Sequence, residues 1–581
     1  MKPTNINDPE YFHRVIDCQF ACPAHTRVPE YIRLIAEKKF NDAYMINWES
    51  NVFPGILGRI CDRPCEPACR RGRVEEDPVA ICRLKRVCAD NKEEILARMP
   101  EKVTKKNGKR VGLIGGGPAS LTVARDLALL GYEIDLYDDQ SKAGGFVRSQ
   151  VPSFRLPEKV LDEEIGFVMD LGVTPHLNSY VSSLKEFLTK GHDAVFVGTG
   201  APRGRDLDLP GRQEGKASIH VGIEWLAGVQ WAHVKKSGPT TLVIGGGNTA
   251  MDCCRTARRL GGENVKVIIR GPKDKMKASP WEIEDAVHED IPILEYLSPK
   301  SFVVENGKLT GMKFENLAEG ADKEEVLIPC DEVLLAVGQQ NAFPWIEPDI
   351  GIGFNEWGQP NVDRVTFQSD LPHVFFGGDA AFGPANVITA VAHGHEAALS
   401  IDLFLSGKDL KDRPHPIIDL EGQKMGMKDW LYSSQVSDEE RQNVPMQPKA
   451  KSIKDRLLEV ELGFDQKLGH KEAHRCLNCD VQTVFFVEEC IECDACVDVC
   501  PTTCINFLEN GDEDDLRERI AIPAKNKEQY LYVSGELPTG RVMVKDEDVC
   551  LHCGLCAERC PTGAWDMKKY TYITAKAGKN E

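Results

Sequence analysis

The apolar positions of this chain fall into three regimes. Over residues 1–107 they recur at helical spacing, as in "YIRLIAEKKFNDAYMINW". Past the basic connector "KKNGKR" (105–110) the pattern changes. "RVGLIGGGPASLTVARDLALLGYEIDLYDD" reads as strand, glycine turn, helix and strand, and "TLVIGGGNTAMDCCRTARRLGGENVKVIIR" repeats that order. Short apolar runs at 193–201, 331–339 and 373–381 predict further buried strands, and "NVITAVAHGHEAALSIDLFLS" predicts an apolar helix. Residues 408–470 turn charged and carry Pro414, Pro416, Pro445 and Pro448, which predicts an extended arm. A cysteine-rich tail follows.

Length and composition narrow the class. The 581 residues suggest roughly three to five domains at about 100–200 residues each. A net charge of −19 argues against nucleic-acid binding and for a partner-selective surface. The start "MKPTNINDPEYFH" has no apolar segment of a secretory signal, and no apolar run approaches the roughly 18–20 residues that span a bilayer. A cytoplasmic protein is expected, meeting a membrane only through a partner. Sixteen of the 21 cysteines stand in C-x-x-C and C-x-x-x-C groups, a spacing for metal ligation in a reducing compartment.

Gly115, Gly117 and Ser120 fill a G-x-G-x-x-G frame between a strand and a helix. The first glycine makes the turn, the second lets the backbone approach a pyrophosphate, and the helix N-terminus favours that charge. Asp138, about twenty residues on, stands where an acid holds a ribose hydroxyl. Gly245, Gly247 and Ala250 form the second turn, and its second strand ends at Arg270 rather than at a carboxylate. An arginine there accepts a 2′-phosphate, which favours NADP over NAD, with Lys273 and Lys275 as helpers; a solvated basic loop is the alternative.

With these motifs, "GGGPASLTVARDLALLGYEIDLYDDQSKAGGFVRSQVPSFRLP" and "GGGNTAMDCCRTARRLG" make residues 15–405 resemble the small subunit of glutamate synthase. The same stretch resembles the matching half of dihydropyrimidine dehydrogenase and the large subunit of the NADH-dependent ferredoxin:NADP oxidoreductase. The resemblance implies FAD in the first nucleotide unit, at Gly115, Gly117, Pro118, Ala119, Asp138, Gly144, Gly145, Arg155, Thr199, Gly200, Gly378, Asp379, Asn386, Val387 and Ala390, with Asp379 on the ribityl chain. It implies NADP or NAD in the second, at Gly245, Gly247, Asn248, Thr249, Ala250, Arg270 and Gly338. Hydride transfer between the two rings needs no catalytic side chain, and none is assigned.

The tail holds Cys490, Cys493, Cys496, Cys500-Pro501 and then Cys550, Cys553, Cys556, Cys560-Pro561. Each run is the C-x-x-C-x-x-C-x-x-x-C-P of two-[4Fe–4S] ferredoxins, where the fourth cysteine ligates the other cluster. One set is therefore Cys490, Cys493, Cys496 and Cys560, the other Cys550, Cys553, Cys556 and Cys500; zinc is the alternative. The intervening "GDEDDLRER" reads as a solvated acidic loop, with a docking site as the alternative.

At the N-terminus stand Cys18, Cys22, Cys61, Cys65 and Cys69. The related family carries two clusters there, and in it a C-x-x-C pair directly precedes the position of Cys18. Here that place is "FHRVID". The far-off pair Cys476 and Cys479 in "EAHRCLNCD" resembles the missing element and would join Cys18 and Cys69; a redox-active or spare thiol pair is the alternative. Cys22, Cys61 and Cys65 would hold the second cluster. The family's fourth ligand to it is a Glu or Gln, and that position here is Lys85, which cannot ligate. Cys82, one helical turn earlier, is the expected replacement, with a plain core cysteine as the alternative. These sixteen cysteines suit four cubane clusters. Cys88, Cys253, Cys254, Cys330 and Cys504 are read as buried hydrophobes, and His13, His393 and His395 as packing or cap residues.

The expected fold is multidomain α/β. An N-terminal helical iron–sulfur domain spans 1–107. FAD-binding segments 108–238 and 335–408 enclose an NAD(P)-binding Rossmann-like domain at 239–334. An extended linker at 409–485 carries Cys476 and Cys479, and an α+β bacterial-ferredoxin-like domain fills 486–581. The expected function is an NAD(P)H-dependent oxidoreductase subunit that passes electrons between nicotinamide, FAD, clusters and another redox subunit or ferredoxin-type carrier in a hetero-oligomeric complex. The alternatives are a glutamate synthase small subunit with an extra ferredoxin, a ferredoxin:NAD(P) or electron-bifurcating subunit, and an assembly scaffold with structural clusters. True glutamate synthesis would need a separate large subunit.

Overall fold

The computed structural model describes residues 2–578 apart from 7, 76, 321–324, 421–436, 438, 510–512, 525, 526 and 528–530. The chain forms two compact units. One comprises Met1–Arg98, Arg413–Val444 and Gly463–Ala575; the other comprises Met99–Asp412, Pro445–Leu462 and Lys576–Glu581. Among the described residues no helix is long and apolar enough to cross a membrane.

The nucleotide-binding unit holds two five-stranded parallel sheets. The first runs Val374–Phe376, Ala194–Val197, Arg110–Ile114, Glu133–Tyr137, Thr174–His176. The second runs Ile219–Val221, Glu332–Leu335, Thr240–Ile244, Asn264–Ile268, Ile293–Leu294. Their central strands are apolar runs buried on both faces, as parallel sheets require. In each sheet the strand that feeds the glycine turn lies in the middle. The helix Val387–Leu405 lies against the helix Pro118–Ala128. A Cβ on its Gly394 would stand 2.6 Å from the Ala119 carbonyl, so only glycine permits that approach.

Two boundaries differ from the sequence reading. The strand Ile219–Val221 and the helix Gly222–Gln230 belong with the second sheet, because Ile219–Val221 pairs with Val333–Leu335. The second lobe thus begins near residue 219, not 239. An antiparallel meander of Leu297–Glu305, Lys308–Asn316 and Glu325–Pro329 was not expected. Its Phe302, Met312, Phe314 and Ile328 share a core with Leu242, Ile244 and Ile268, which explains its place.

The cysteine-rich unit begins with short helices, chiefly Val28–Ala36, Phe40–Asn51, Pro54–Ile60 and Ile81–Asp90. It continues with two three-stranded antiparallel sheets: Ile417–Leu420, Trp565–Ile573, Val481–Phe485, and Ile505–Leu508, Val542–Asp546, Leu531–Glu536. The expected linker 409–485 is therefore not an extended arm. It supplies two of these strands and the helix Gln466–Ala473, while 445–462 pack with the nucleotide unit. "GDEDDLRER" is not a solvated loop either. Glu513–Arg519 is helical, Leu516 is buried with Leu508, Val533 and Val544, and Arg517 pairs with Asp546 at 2.6 Å. Gly511 and Asp512 lie outside the described residues.

Candidate functional site

In the first turn Gly115 has φ +92°, and a Cβ there would stand 2.7 Å from the Gly198 carbonyl. The turn is thereby pressed against the end of the neighbouring strand. Gly117 caps the helix Pro118–Ala128, and a Cβ on it would meet only Gly198, at 3.7 Å. Its outer side is an open cradle at a helix N-terminus, as a pyrophosphate needs. Gly145 (φ +53°) closes over the turn, 2.8 Å from the Gly117 Cα by the same measure, and Gly144 donates to the Gly116 carbonyl at 2.8 Å. Asp138 accepts from the amides of Gly116 (2.5 Å) and Gln140 (2.8 Å), so its carboxylate pins the turn. A carboxylate offers about four lone-pair sites, which leaves some for a ribose. The Thr199 hydroxyl is buried without a protein partner, and Gly200 (φ +70°) passes over the Phe146 ring.

The other wall of this cleft is Gly378 (φ +60°), in close contact with Ala119 and Ala390, followed by Asp379. Asp379 accepts from the Ala385 amide at 3.0 Å. Asn386 caps the helix that starts at Val387 by accepting from Thr389 N at 2.9 Å. The orphaned Thr199 hydroxyl and the cradle at Gly117 fit FAD. The Arg155 guanidinium pairs with Asp252 (2.7 Å) and Glu282 (2.5 Å), both in the second lobe's sequence, and so ties the lobes together.

Burial pushes both Asp138 and Asp379 up to about 6. A folded-state pKa above the usual value near 3.9 means the FAD-free fold loses stability as pH rises from about 4 to about 6. Asp379→Asn should flatten that part of the melting-temperature profile and weaken FAD roughly 10–100-fold, the cost of one hydrogen bond to a charged group. A pH profile identical to wild type would reject this.

In the second turn Gly245 (φ +137°) would bring a Cβ to 2.2 Å from the Ala336 carbonyl, while Gly247, at the start of the helix Asn248–Arg259, has nothing within 4 Å. Asn248 accepts from Ser279 N at 2.8 Å, and the amides of Lys277 and Ala278 both donate to the Gly246 carbonyl. The loop after the second strand is thus folded onto the turn, with Arg270, Lys273, Lys275 and Lys277 exposed along it. Thr249 and Ala250 lie in the first helical turn, Ala250 fully buried. Gly338 (φ +112°) accepts from Arg205 N at 2.9 Å. The open cradle and exposed cations fit a nicotinamide dinucleotide phosphate. Cys253 and Cys254 point into the core, toward the carbonyls of Gly222 and Met251.

The structure brings the distant cysteines together. Cys18, Cys69, Cys476 and Cys479 line one small cavity with Asp17, Arg70 and Arg71. Two buried residues of the helix Gln466–Ala473 and its C-terminal turn explain how. Glu472 accepts from the amides of Ala80 and Gln442, both at 2.8 Å, and Arg475 donates to Glu472 (2.9 Å), to the carbonyls of Asp77 and Pro78, and to Glu439 O. Beyond them Arg33 holds Asp480 at 2.5 Å. The loop itself has a telling shape. Asn478, Glu492 and His552 all have φ near +50° (52°, 54° and 51°), and each donates its amide to the Sγ two residues earlier at 3.4 Å: Cys476, Cys490 and Cys550. "CLNC" thus has the same amide-to-sulfur turn as the first pair of each ferredoxin run.

Cys22, Cys61, Cys65 and Cys82 form a second, wholly buried group. Gly58 lets the helices Pro54–Ile60 and Ile81–Asp90 touch, since its Cβ would lie 2.8 Å from Arg86 Cα, and the Cys82 Sγ donates to the Leu57 carbonyl at 3.2 Å, within reach of Cys61. Lys85 donates to Asn51 at 2.9 Å. Burial opposes its charge, and the neighbouring sulfurs of Cys61, Cys82, Cys22 and Cys65, once ionised, raise its pKa. Lys85 thus places a buried ammonium among this group. Glu66 accepts from Cys82 N at 3.0 Å and pairs with Arg441.

In the tail, Cys500, Cys550, Cys553 and Cys556 line one cavity and Cys490, Cys493, Cys496 and Cys560 another. Each cavity thus holds at least the four sulfurs that make the donor set of a cubane cluster. Cys504 was read as a plain hydrophobe, but it lines the first of these cavities with its Sγ 3.5 Å from that of Cys500. Arg70 was not singled out at all. Fully buried, it pairs with Asp17 at 2.7 Å and donates to the carbonyls of Glu547 and Cys550, both at 2.5 Å. Its place directly after Cys69 was the only sequence signal. His13 stacks on Tyr572, His395 pairs with Asp126, and His393 packs on Phe367 and Phe382.

Two linked nucleotide folds and grouped cysteines in one chain define a flavin- and pyridine-nucleotide-dependent iron–sulfur oxidoreductase. Three family descriptions match in the same order: dihydropyrimidine dehydrogenase domain II, 4Fe-4S cluster, at 13–96; pyridine nucleotide-disulphide oxidoreductase at 109–394; and 4Fe-4S dicluster domain at 489–564. The NADP(+)-dependent formate dehydrogenase subunit beta of Moorella thermoacetica is 33% identical over 80% of this chain and 70% of its own. The NADPH-Fe(3+) oxidoreductase subunit beta of Geobacter sulfurreducens is 30% identical over 82% and 77%. The glutamate synthase [NADPH] small chain of Azospirillum brasilense is 30% identical over 67% and 86%. The chain belongs to this family of NAD(P)H-dependent iron–sulfur flavoprotein oxidoreductases, which bind FAD, a nicotinamide dinucleotide and [4Fe–4S] clusters.

Proposed function

We propose that this chain is the NADPH-oxidising subunit (NADP-reducing in the reverse direction) of a cytoplasmic hetero-oligomeric complex, with four [4Fe–4S] clusters held by the sixteen cysteines named above. When bound, nicotinamide and FAD exchange a hydride and the clusters carry electrons singly. The observation that carries the reading is the serial order of the four cysteine groups within one unit. The Cys22, Cys61, Cys65 and Cys82 group is buried throughout. The helix Cys65–Ala68 packs on Asp17–Phe20, which carries Cys18 of the next group. Arg70 lines that group's cavity with Cys479 and donates to the Cys550 carbonyl of the third. The helix Leu555–Arg559, which carries Cys556 of the third, packs on Ala495–Val499, which carries Cys496 of the fourth. In the fourth, Cys493 is exposed, beside Ile491 at 61% exposure. The order thus runs from a buried end to a surface where a redox partner can dock.

The residues of the nucleotide unit do the positioning. Gly117 and Asp138 fix the FAD turn, Asp379 closes its far side, and Gly247 opens the second cradle. Arg270 and Lys273, exposed beside that cradle, supply charge for a 2′-phosphate. The relatives named as beta subunits align with 80% and 82% of this chain, the glutamate synthase small chain with 67%. That favours a subunit of the former kind, whose partner is another redox subunit or a ferredoxin-type carrier.

The test is anaerobic mixing of the FAD-loaded chain with NADPH or NADH. The flavin absorbance should bleach with NADPH, and reduced-cluster signals should follow in electron paramagnetic resonance. No bleaching with either nucleotide would leave only the scaffold reading. Arg270→Ala/Lys273→Ala should raise KM for NADPH roughly 10–100-fold, the loss of one or two charge-assisted hydrogen bonds, with KM for NADH little changed. Equal effects on both nucleotides would remove the 2′-phosphate assignment.

A further inference from the structure

We infer that Cys504 is a reserve ligand of the cluster site formed by Cys500, Cys550, Cys553 and Cys556, able to hold the iron that Cys500 holds. The inference rests on the reading that this cavity carries a [4Fe–4S] cluster. A cubane needs four protein sulfurs, and this cavity is lined by five. The Cys504 Sγ is 3.5 Å from Cys500 Sγ and within hydrogen-bond reach of Cys550, so it faces the same space as two of the expected ligands.

The pseudo-symmetric site provides the contrast. Cys500-Pro501-Thr502-Thr503-Cys504 matches Cys560-Pro561-Thr562-Gly563-Ala564 position for position. Both fourth cysteines place their sulfur 3.6 Å from the following threonine hydroxyl, and Thr503 and Gly563 both have positive φ (52° and 75°). The backbones agree, and Ala564 is buried as Cys504 is, at 1% and 2% exposure. A methyl group suffices there for packing, so the thiol of Cys504 adds something that packing does not require. Of the four other cysteines outside the sixteen, Cys88, Cys253 and Cys254 turn their sulfurs to backbone carbonyls, and Cys330 packs in an apolar core with Phe302 and Phe314.

The exchange is balanced without an oxidant or reductant. With a cluster bound, the iron–sulfur bond to Cys500 would break as that sulfur took up a proton, and the bond to Cys504 would form as its thiol gave one up. Cys500 is half-buried and Cys504 wholly buried, so the exchange moves the ligand from the solvent side to the interior.

The experiment measures iron and acid-labile sulfide per chain, with electron paramagnetic resonance of the reduced protein, on anaerobically purified full-length variants. Cys500→Ala should keep the wild-type iron content, whereas Cys500→Ala/Cys504→Ala and Cys560→Ala should each lose up to about four iron atoms. Adding Ala564→Cys to Cys560→Ala should restore them. Loss of iron from Cys500→Ala equal to that from Cys560→Ala, or an insoluble Cys500→Ala chain, would overturn the inference. So would failure of Ala564→Cys to restore any iron. A wild-type chain with no ferredoxin-type cluster signal would instead remove the underlying cluster reading.

Discussion

Replacing Cys476 and Cys479 together by serine is expected to lower the iron content from about sixteen to about twelve atoms per chain, the loss of one cubane. The two sulfurs share a cavity with Cys18 and Cys69 although hundreds of residues separate them in the chain. Their loop has the left-handed residue and the 3.4 Å amide-to-sulfur hydrogen bond found at Cys490 and Cys550. Amides aimed at sulfur stabilise thiolate, the form that ligates iron. A spare thiol pair has no need of this geometry. The signals of the other clusters should persist in the variant, since the two tail cavities and the Cys22 group use other cysteines. Iron unchanged by the substitution would mean the pair ligates nothing, and the series of four sites would be broken at its second member.

The second large effect is expected at Glu472. Glu472→Ala should destabilise the cysteine-rich unit by about 3–5 kcal/mol, as breaking a buried ion pair does. Glu472 and Arg475 are both fully buried, and Glu472 also accepts two backbone amides, from Ala80 and Gln442. Its removal leaves those two amides without their acceptor and takes from Arg475 its closer carboxylate partner, leaving Glu75 at 3.4 Å and the backbone carbonyls. The Ala80 amide directly precedes the helix that carries Cys82, and Arg475 directly precedes Cys476. The same variant should therefore release iron from the two N-terminal sites before the tail sites during thermal unfolding. Unfolding in which all iron leaves in one step, at the wild-type temperature, would show that Glu472 anchors neither element.

The resemblance drawn from the two glycine motifs agrees with the relatives found, because those motifs are local. Gly115 and Gly245 need positive φ, Gly117 and Gly247 need an open outer face, and the flanking strands need apolar runs. Each demand falls on one short stretch of chain. The ferredoxin runs are legible for the same reason, since their spacing holds three ligands of one site in a single loop.

Other features were not legible there. The pairing of Arg155 with Asp252 and Glu282 had no local signal, because those partners lie far along the chain and only packing of the lobes brings them to it. The prolines and charges of 409–485 suggested an arm. Their strands are completed by Trp565–Ile573, whose arrival no local pattern announces.

The sequence by itself determined the order of the domains, the two nucleotide turns and the residue types able to hold iron, since these depend on backbone conformation and spacing over a few residues. Tertiary structure decided which sulfurs share a cavity, that Lys85 and Arg70 stand as buried cations among them, and that Cys504 makes a fifth sulfur where Ala564 leaves four. Such placements come from buried long-range contacts, Glu472 with Ala80 and Arg70 with Cys550 among them. Their energy depends on desolvation and partner geometry, which exist only once the chain has folded.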